Sequence, residues 1–221
     1  MVDMSGNEPD RLENFPVTFF AVMMGLLGLA LSVAAAERAA GWSGGLSQFI
    51  LGAAVAVFAT LSGFYLLKLV RHPRAVVAEW NHPVRIAFFP TVSISLLLLG
   101  TALAPQLPGI AYPVWAVGVA AQGILSLSVI ANWIGHRAFQ PIHLSPAWFI
   151  PAVGNILVPL AGAGFGETEL SWLFFSAGML FWLVLLTLVM NRLIFHEPLP
   201  ARLMPTLGIL IAPPSVAFVA W

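Results

Sequence analysis

There is no cysteine in this sequence, which excludes disulfides, thiol nucleophiles and thiolate metal sites. Charge is scarce as well. Asp, Glu, Lys and Arg make up 8% of the residues, where soluble domains carry roughly 25%. That is too little to cover a globular surface. Nine basic residues balance nine acidic ones, so no basic face offers itself to nucleic acid, and none is expected as a partner. Lys68 is the only lysine. It falls at a helix end, which removes the mid-membrane amine that a retinal Schiff base needs. No Asp, Glu, Lys or Arg lies near the middle of a hydrophobic stretch. That argues against proton relays and intramembrane aspartyl proteases.

What the sequence has is hydrophobic length. Of 221 residues, 60% are hydrophobic, and a helix needs about 20 apolar residues to cross a bilayer. The apolar stretches predict seven helices, over roughly 15–36, 47–69, 84–104, 113–134, 146–164, 170–192 and 205–221. Pro105, Pro108 and Pro113 divide the third from the fourth. Residues 1–14 are acidic (Asp3, Glu8, Asp10, Glu13) and lack the basic start of a cleaved signal peptide. They are expected to be a cytoplasmic tail, with residues 15–221 as the transmembrane domain. Placing the N-terminus inside puts Arg11, Lys68, Arg71, Arg74, Arg85, Arg137, Arg192 and Arg202 on the inner side and Arg38 alone on the outer. This follows the positive-inside rule.

The prolines reveal a repeat. Each odd helix opens on one: Pro16, Pro83, Pro146 and Pro205, spaced 67, 63 and 59 residues apart. Proline suits the first helical position, where its missing N–H costs nothing. Three odd helices also hold interior prolines (Pro90; Pro151 and Pro159; Pro213 and Pro214), whereas the first has Gly25 and Gly28, and the even helices are read as holding none. Broken backbone is tolerated in a bilayer only where protein or a water-filled cavity surrounds it. The expected architecture is therefore all-α: helical hairpins with the odd helices in an inner ring and the even helices facing lipid.

Uncharged polar residues lie on the odd helices: Thr18, Thr91, Ser93, Ser95, Asn155 and Ser215. Two readings stay open. The hydroxyls can bond back to carbonyls of their own helix, with Asn155 joining helices, or the set can line a weakly polar pore. The pore-lining candidates are Thr18, Gly25, Phe89, Pro90, Thr91, Ser95, Asn155, Pro159, Pro213 and Ser215, with Arg85 at the cytoplasmic mouth. Phe19-Phe20 and Phe88-Phe89 either constrict such a pore or pack. All five histidines (His72, His82, His136, His143, His196) fall on the inner side. They invite a membrane metal-enzyme reading, but no pair has the i, i+4 spacing of a helical metal motif. No metal or other cofactor is expected.

Several stretches carry a resemblance: Asn14 to Phe20, HPVRIAFFPTVSISLLLL (His82–Leu99), PAWFIPAVGNILVPLAG (Pro146–Gly162), ELSWLFFSAGMLFWLVL (Glu169–Leu185) and NRLIFHEPLPARLMPTLGILIAPPSVAF (Asn191–Phe218). They resemble the tellurite-resistance/dicarboxylate transporter family, which includes the plant guard-cell slow anion channels. The resemblance implies five hairpins, ten helices in all, with odd helices around a pore. It implies homotrimers in the plasma (inner) membrane. It implies small-anion transport: chloride, nitrate, C4-dicarboxylates, sulfite or tellurite. On that reading the sequence stops inside helix seven, the family's gating phenylalanine lies beyond Trp221, and the chain is a fragment of a longer protein. The readings set against an anion channel or transporter are a membrane enzyme using the cytoplasmic histidines and a non-conducting fragment.

Overall fold

The computed structural model describes residues 11–135 and 139–221. Most of the expected tail, together with His136 and Arg137, lies outside the described residues. Every regular element among the described residues is helical. Six helices are long and apolar enough to cross a membrane: α1 (Val17–Ala40), α2 (Gly45–Arg71), α3 (Arg85–Leu103), α4 (Pro108–Gly135), α6 (Thr168–Phe195) and α7 (Leu203–Ala220). A shorter, broken apolar segment, α5 (Pro146–Gly162), lies between α4 and α6. The chain is an integral membrane protein.

The odd helices all start as 3-10 helix: Val17–Phe20, Arg85–Phe88, Pro146–Trp148 and Ala201–Ile211. The prolines explain the tightening. A proline cannot donate to the carbonyl four residues back. In three cases the residue just before the proline bonds that carbonyl instead, across three residues. Phe89 N donates to Ile86 O (3.3 Å) ahead of Pro90. Val158 N donates to Asn155 O (3.1 Å) ahead of Pro159, and Ala212 N to Ile209 O ahead of Pro213. α5 is the most broken, passing through 3-10 Pro146–Trp148, α Phe149–Val153, 3-10 Gly154–Leu157 and α Pro159–Gly162. The even helices α2, α4 and α6 run as unbroken α-helix.

Two expectations need correction. α4 begins at Pro108, not Pro113, so Pro113 is an interior proline in an even helix. It is tolerated because it falls in the second turn, where the carbonyl it abandons belongs to exposed Gly109. The junction between α2 and α3 also holds a short helix, Pro73–Trp80, that hydropathy did not reveal.

Burial places α3 at the centre: 61% of its apolar window is buried, against 11% for α2 and 17% for α6. In α5 nearly every residue from Ser145 to Gly162 is buried or half-buried. α1 (22%) and α7 (11%) flank this pair, and Pro213 is the buried residue of α7. At the α1–α2 turn, Gly41 is left-handed (φ 70°), and its N–H and that of Trp42 bond Arg38 O and Glu37 O, a Schellman motif. The Glu37 carboxylate then caps α2, accepting from Leu46 N (3.0 Å) and Ser47 N (3.3 Å).

The close seams are made by glycine. A Cβ at Gly100 would sit 2.7 Å from Trp115 Cβ, and one at Gly118 would sit 3.0 Å from Leu97 N. Without a hydrophobic drive between helices in lipid, such close backbone approach supplies the packing energy. Gly100→Ala should therefore destabilise the protein by about 1–3 kcal/mol. Gly109→Ala, where a Cβ meets nothing within 4 Å, should be neutral or slightly stabilising. Unfolding midpoints in mixed micelles measure the difference.

Candidate functional site

The first feature of the centre is a buried polar network. Gln122 on α4 is fully buried. Its Oε1 accepts from Ser93 Oγ on α3 (2.7 Å). Its Nε2 donates to Ser126 Oγ (3.0 Å), Pro151 O (3.2 Å) and Asn155 Oδ1 (3.2 Å). Ser126 Oγ donates to Pro151 O at 2.5 Å, and Trp115 Nε1 reaches Val158 O at 3.1 Å. So α4 supplies the donors that satisfy carbonyls of broken α5, as irregular backbone at membrane depth requires.

Beside this network lies a cavity of about 290 Å³. Its walls come from four helices: Met24 and Gly28 of α1, Ile94 and Leu98 of α3, Phe149, Ile150, Val153, Gly154, Ile156 and Leu157 of α5, and Ile209, Ala212, Pro213 and Val216 of α7. Lining residues recur at three or four, as one face of a helix requires (Met24 and Gly28; Ile94 and Leu98; Ile150, Val153 and Ile156; Pro213 and Val216). No side chain in this wall carries charge or a hydrogen-bonding group. A wider cavity of about 620 Å³ lies toward the C-terminal end of α1, walled by α1, α2, α3, α5 and the turns that join them, and there the walls turn polar.

The opposite end of the bundle holds ions. Lys68, 1% exposed, pairs with Glu79 of the short helix (3.1 Å) and donates to Phe15 O (2.8 Å). Tyr65 donates to the same carboxylate (3.1 Å), and Arg85, half exposed, lies 3.6 Å from it. This ties the entry of α1 to α2 and α3. A lone buried charge would be costly, and the partner offsets that cost. Arg192 is likewise buried, its Nη1 donating to Glu197 O at 2.6 Å. Two cations expected at helix ends are thus enclosed by protein. Among the described residues, no three of His, Asp and Glu converge as metal ligands.

The candidates drawn from the sequence fall in different places. Pro213 lines the central cavity. Pro90, Thr91, Ser95 and Asn155 are buried beside it, their polar groups turned to protein: Thr91 Oγ1 to Phe88 O (2.5 Å), Ser95 Oγ to Thr91 O (2.6 Å), Asn155 Nδ2 to Ala152 O (3.1 Å). Phe89 packs edge-on against Trp80 (4.9 Å). Pro159 lines a separate small cavity with Trp172 and Trp221. Thr18 is half-buried in the first 3-10 turn, and Gly25 is exposed. Ser215 is exposed, donating to Ile211 O (2.9 Å).

Comparison with known proteins gives the family. The model of a family described as SLAC1, voltage-dependent anion channel, matches residues 14–221. The chain belongs to this family. Similar proteins include an uncharacterized transporter of Methanocaldococcus jannaschii, 28% identical over 95% of this chain and 65% of its own length. The S-type anion channel SLAH3 of Arabidopsis thaliana is 30% identical over 95% of this chain and 34% of its own. A tellurite resistance protein TehA homolog of Haemophilus influenzae is 29% identical over 93% of this chain and 63% of its own. The chain therefore spans about one to two thirds of these relatives' length.

Gln122, Ser126 and Trp115 were missed from the sequence because α4 was assigned to lipid. The signal was present: Trp115, Val119, Gln122, Ser126 and Val129 recur at three and four residues and all are buried. Replacing Gln122 with Leu leaves Ser93 and Asn155 with fewer partners. It should cost about 1–2 kcal/mol of stability, read as a shifted unfolding midpoint in micelles.

Proposed function

We propose that this chain builds the wall of a pathway for small anions across the cytoplasmic membrane, as a channel or channel-like transporter. The observation that carries the reading is the central cavity, walled only by the four interrupted helices and free of ionised side chains. Chloride, nitrate, C4-dicarboxylates, sulfite and tellurite are the candidate ions, drawn from the family resemblance and from relatives named as anion channels and as a tellurite resistance protein. A wall without fixed charge does not trap an ion, which conduction requires. Sign selectivity then comes from the ends. The four odd helices all start at the basic end, and each N-terminus carries roughly half a positive charge. The buried Lys68–Glu79 pair leaves Arg85 as the surplus cation of its cluster.

In this reading the N-terminus is cytoplasmic, by the eight-to-one partition of Lys and Arg. The even helices, with exposed apolar residues such as Leu66, Ile124, Leu127 and Leu183, face lipid or neighbouring subunits of a homotrimer.

Reversal potential in liposomes under opposed salt gradients tests the assignment. It should track the chloride gradient, and tracking the potassium gradient overturns it. Arg85→Gln should lower anion flux at least about twofold at 10 mM salt and little at 150 mM, because the Debye length falls from roughly 30 to 8 Å.

A further inference from the structure

The wider cavity at the C-terminal end of α1 is not needed to explain passage through the apolar centre, but three of the same helices wall it further along. The walls step along α1 from Gly28 to Ala30 and Ala34, along α3 from Leu98 to Thr101, and along α5 from Leu157 to Ala161. At about 620 Å³, the outer one has room for a polyatomic ion and part of its water.

Its two charges are engaged differently. Among the charged side chains of its wall, Glu37 and Arg38 stand alone. Glu37 is buried and committed: its two oxygens accept from the amides of Leu46 and Ser47, at the positive end of α2. The acid just beyond the wall, Glu167, is occupied by the Tyr112 hydroxyl at 2.8 Å. Arg38 remains. Its Nε donates to Ala34 O (3.2 Å), which lays the side chain along the last turn of α1 and leaves the terminal amino groups for a ligand. The Gln48 and Gln106 amides, both exposed, line the same space.

We infer that this cavity is an antechamber that captures oxyanions, with Arg38 as its binding residue. The guanidinium fork matches two oxygens of one planar group, as in nitrate or a carboxylate, and has no such match to a halide. The amides of Gln48 and Gln106 add donors for a second carboxylate. The inference rests on the proposed anion pathway and adds to it a site, a preferred class of ion and a side of the membrane. Capture is weak, because an exposed charge pair gains little in water. That suits a site from which the ion must leave again.

Two measurements on the full chain test this separately. The first is thermal stabilisation in detergent by sodium malate or sodium nitrate at constant ionic strength, with chloride as reference. Arg38→Gln should raise the half-saturating malate concentration about three- to tenfold, Arg38→Lys should fall between, and the chloride response should not change. Arg38 is exposed and makes one intrahelical bond, so neither variant should impair folding. Equal half-saturation in wild type and Arg38→Gln overturns the inference, as does a wild type that malate and nitrate stabilise no better than chloride. The second is uptake into liposomes, with substrate offered from either side. Arg38→Gln should raise the half-saturating concentration only from the antechamber side. Flux with no such asymmetry overturns the antechamber while leaving the pathway intact. A chain that passes no anion defeats the pathway, and malate stabilisation that still depends on Arg38 then upholds the site alone.

Discussion

A carbonyl abandoned by proline inside a bilayer has no water to turn to, and leaving it bare costs several kcal/mol. Much of this structure answers that constraint. At Pro90, Pro159 and Pro213 the preceding residue reaches back three positions to the stranded carbonyl, and the chain tightens into 3-10 helix around it. Where α5 breaks repeatedly, side chains of α4 add donors to its backbone. Gln122 and Ser126 donate to Pro151 O, and Trp115 to Val158 O, which Gly162 N also reaches at 3.2 Å.

This divides labour between odd and even helices more finely than an inner and an outer ring. α2 and α6 show most of their surface outward. α4 does so on one face and holds the broken helix with the other. Glycine lets it come close enough, at Gly100 and Gly118 on the α3–α4 seam, while Gly178 does the same for α6 against Ile156. The apolar cavity lies where α1, α3, α5 and α7 meet.

Much of this was legible in the sequence. Apolar length located all seven segments, and the proline spacing separated odd from even helices. Boundaries were less legible. Pro113 looked like a helix start because a run of prolines gives no local sign of which one opens the helix. The short helix Pro73–Trp80 was hidden because eight residues carry too little hydropathy to register. The site was read least well. Thr91, Ser95 and Asn155 were rightly placed inside the bundle, but a hydroxyl one or two bonds from its own helix finds a carbonyl there before it finds a cavity. The wall itself is Ile, Leu, Val and Gly, the residues that every membrane helix contains, so composition alone could not single it out.

The 3-10 half of α7 also bears on reach. A 3-10 residue rises about 2.0 Å, against about 1.5 Å for an α-helical one. The residues of α7 up to Ile211 are 3-10 and those from Ala212 are α. The tightening that rescues stranded carbonyls therefore also stretches the helix, and the tightened half covers a given depth of bilayer with fewer residues than an unbroken helix would need.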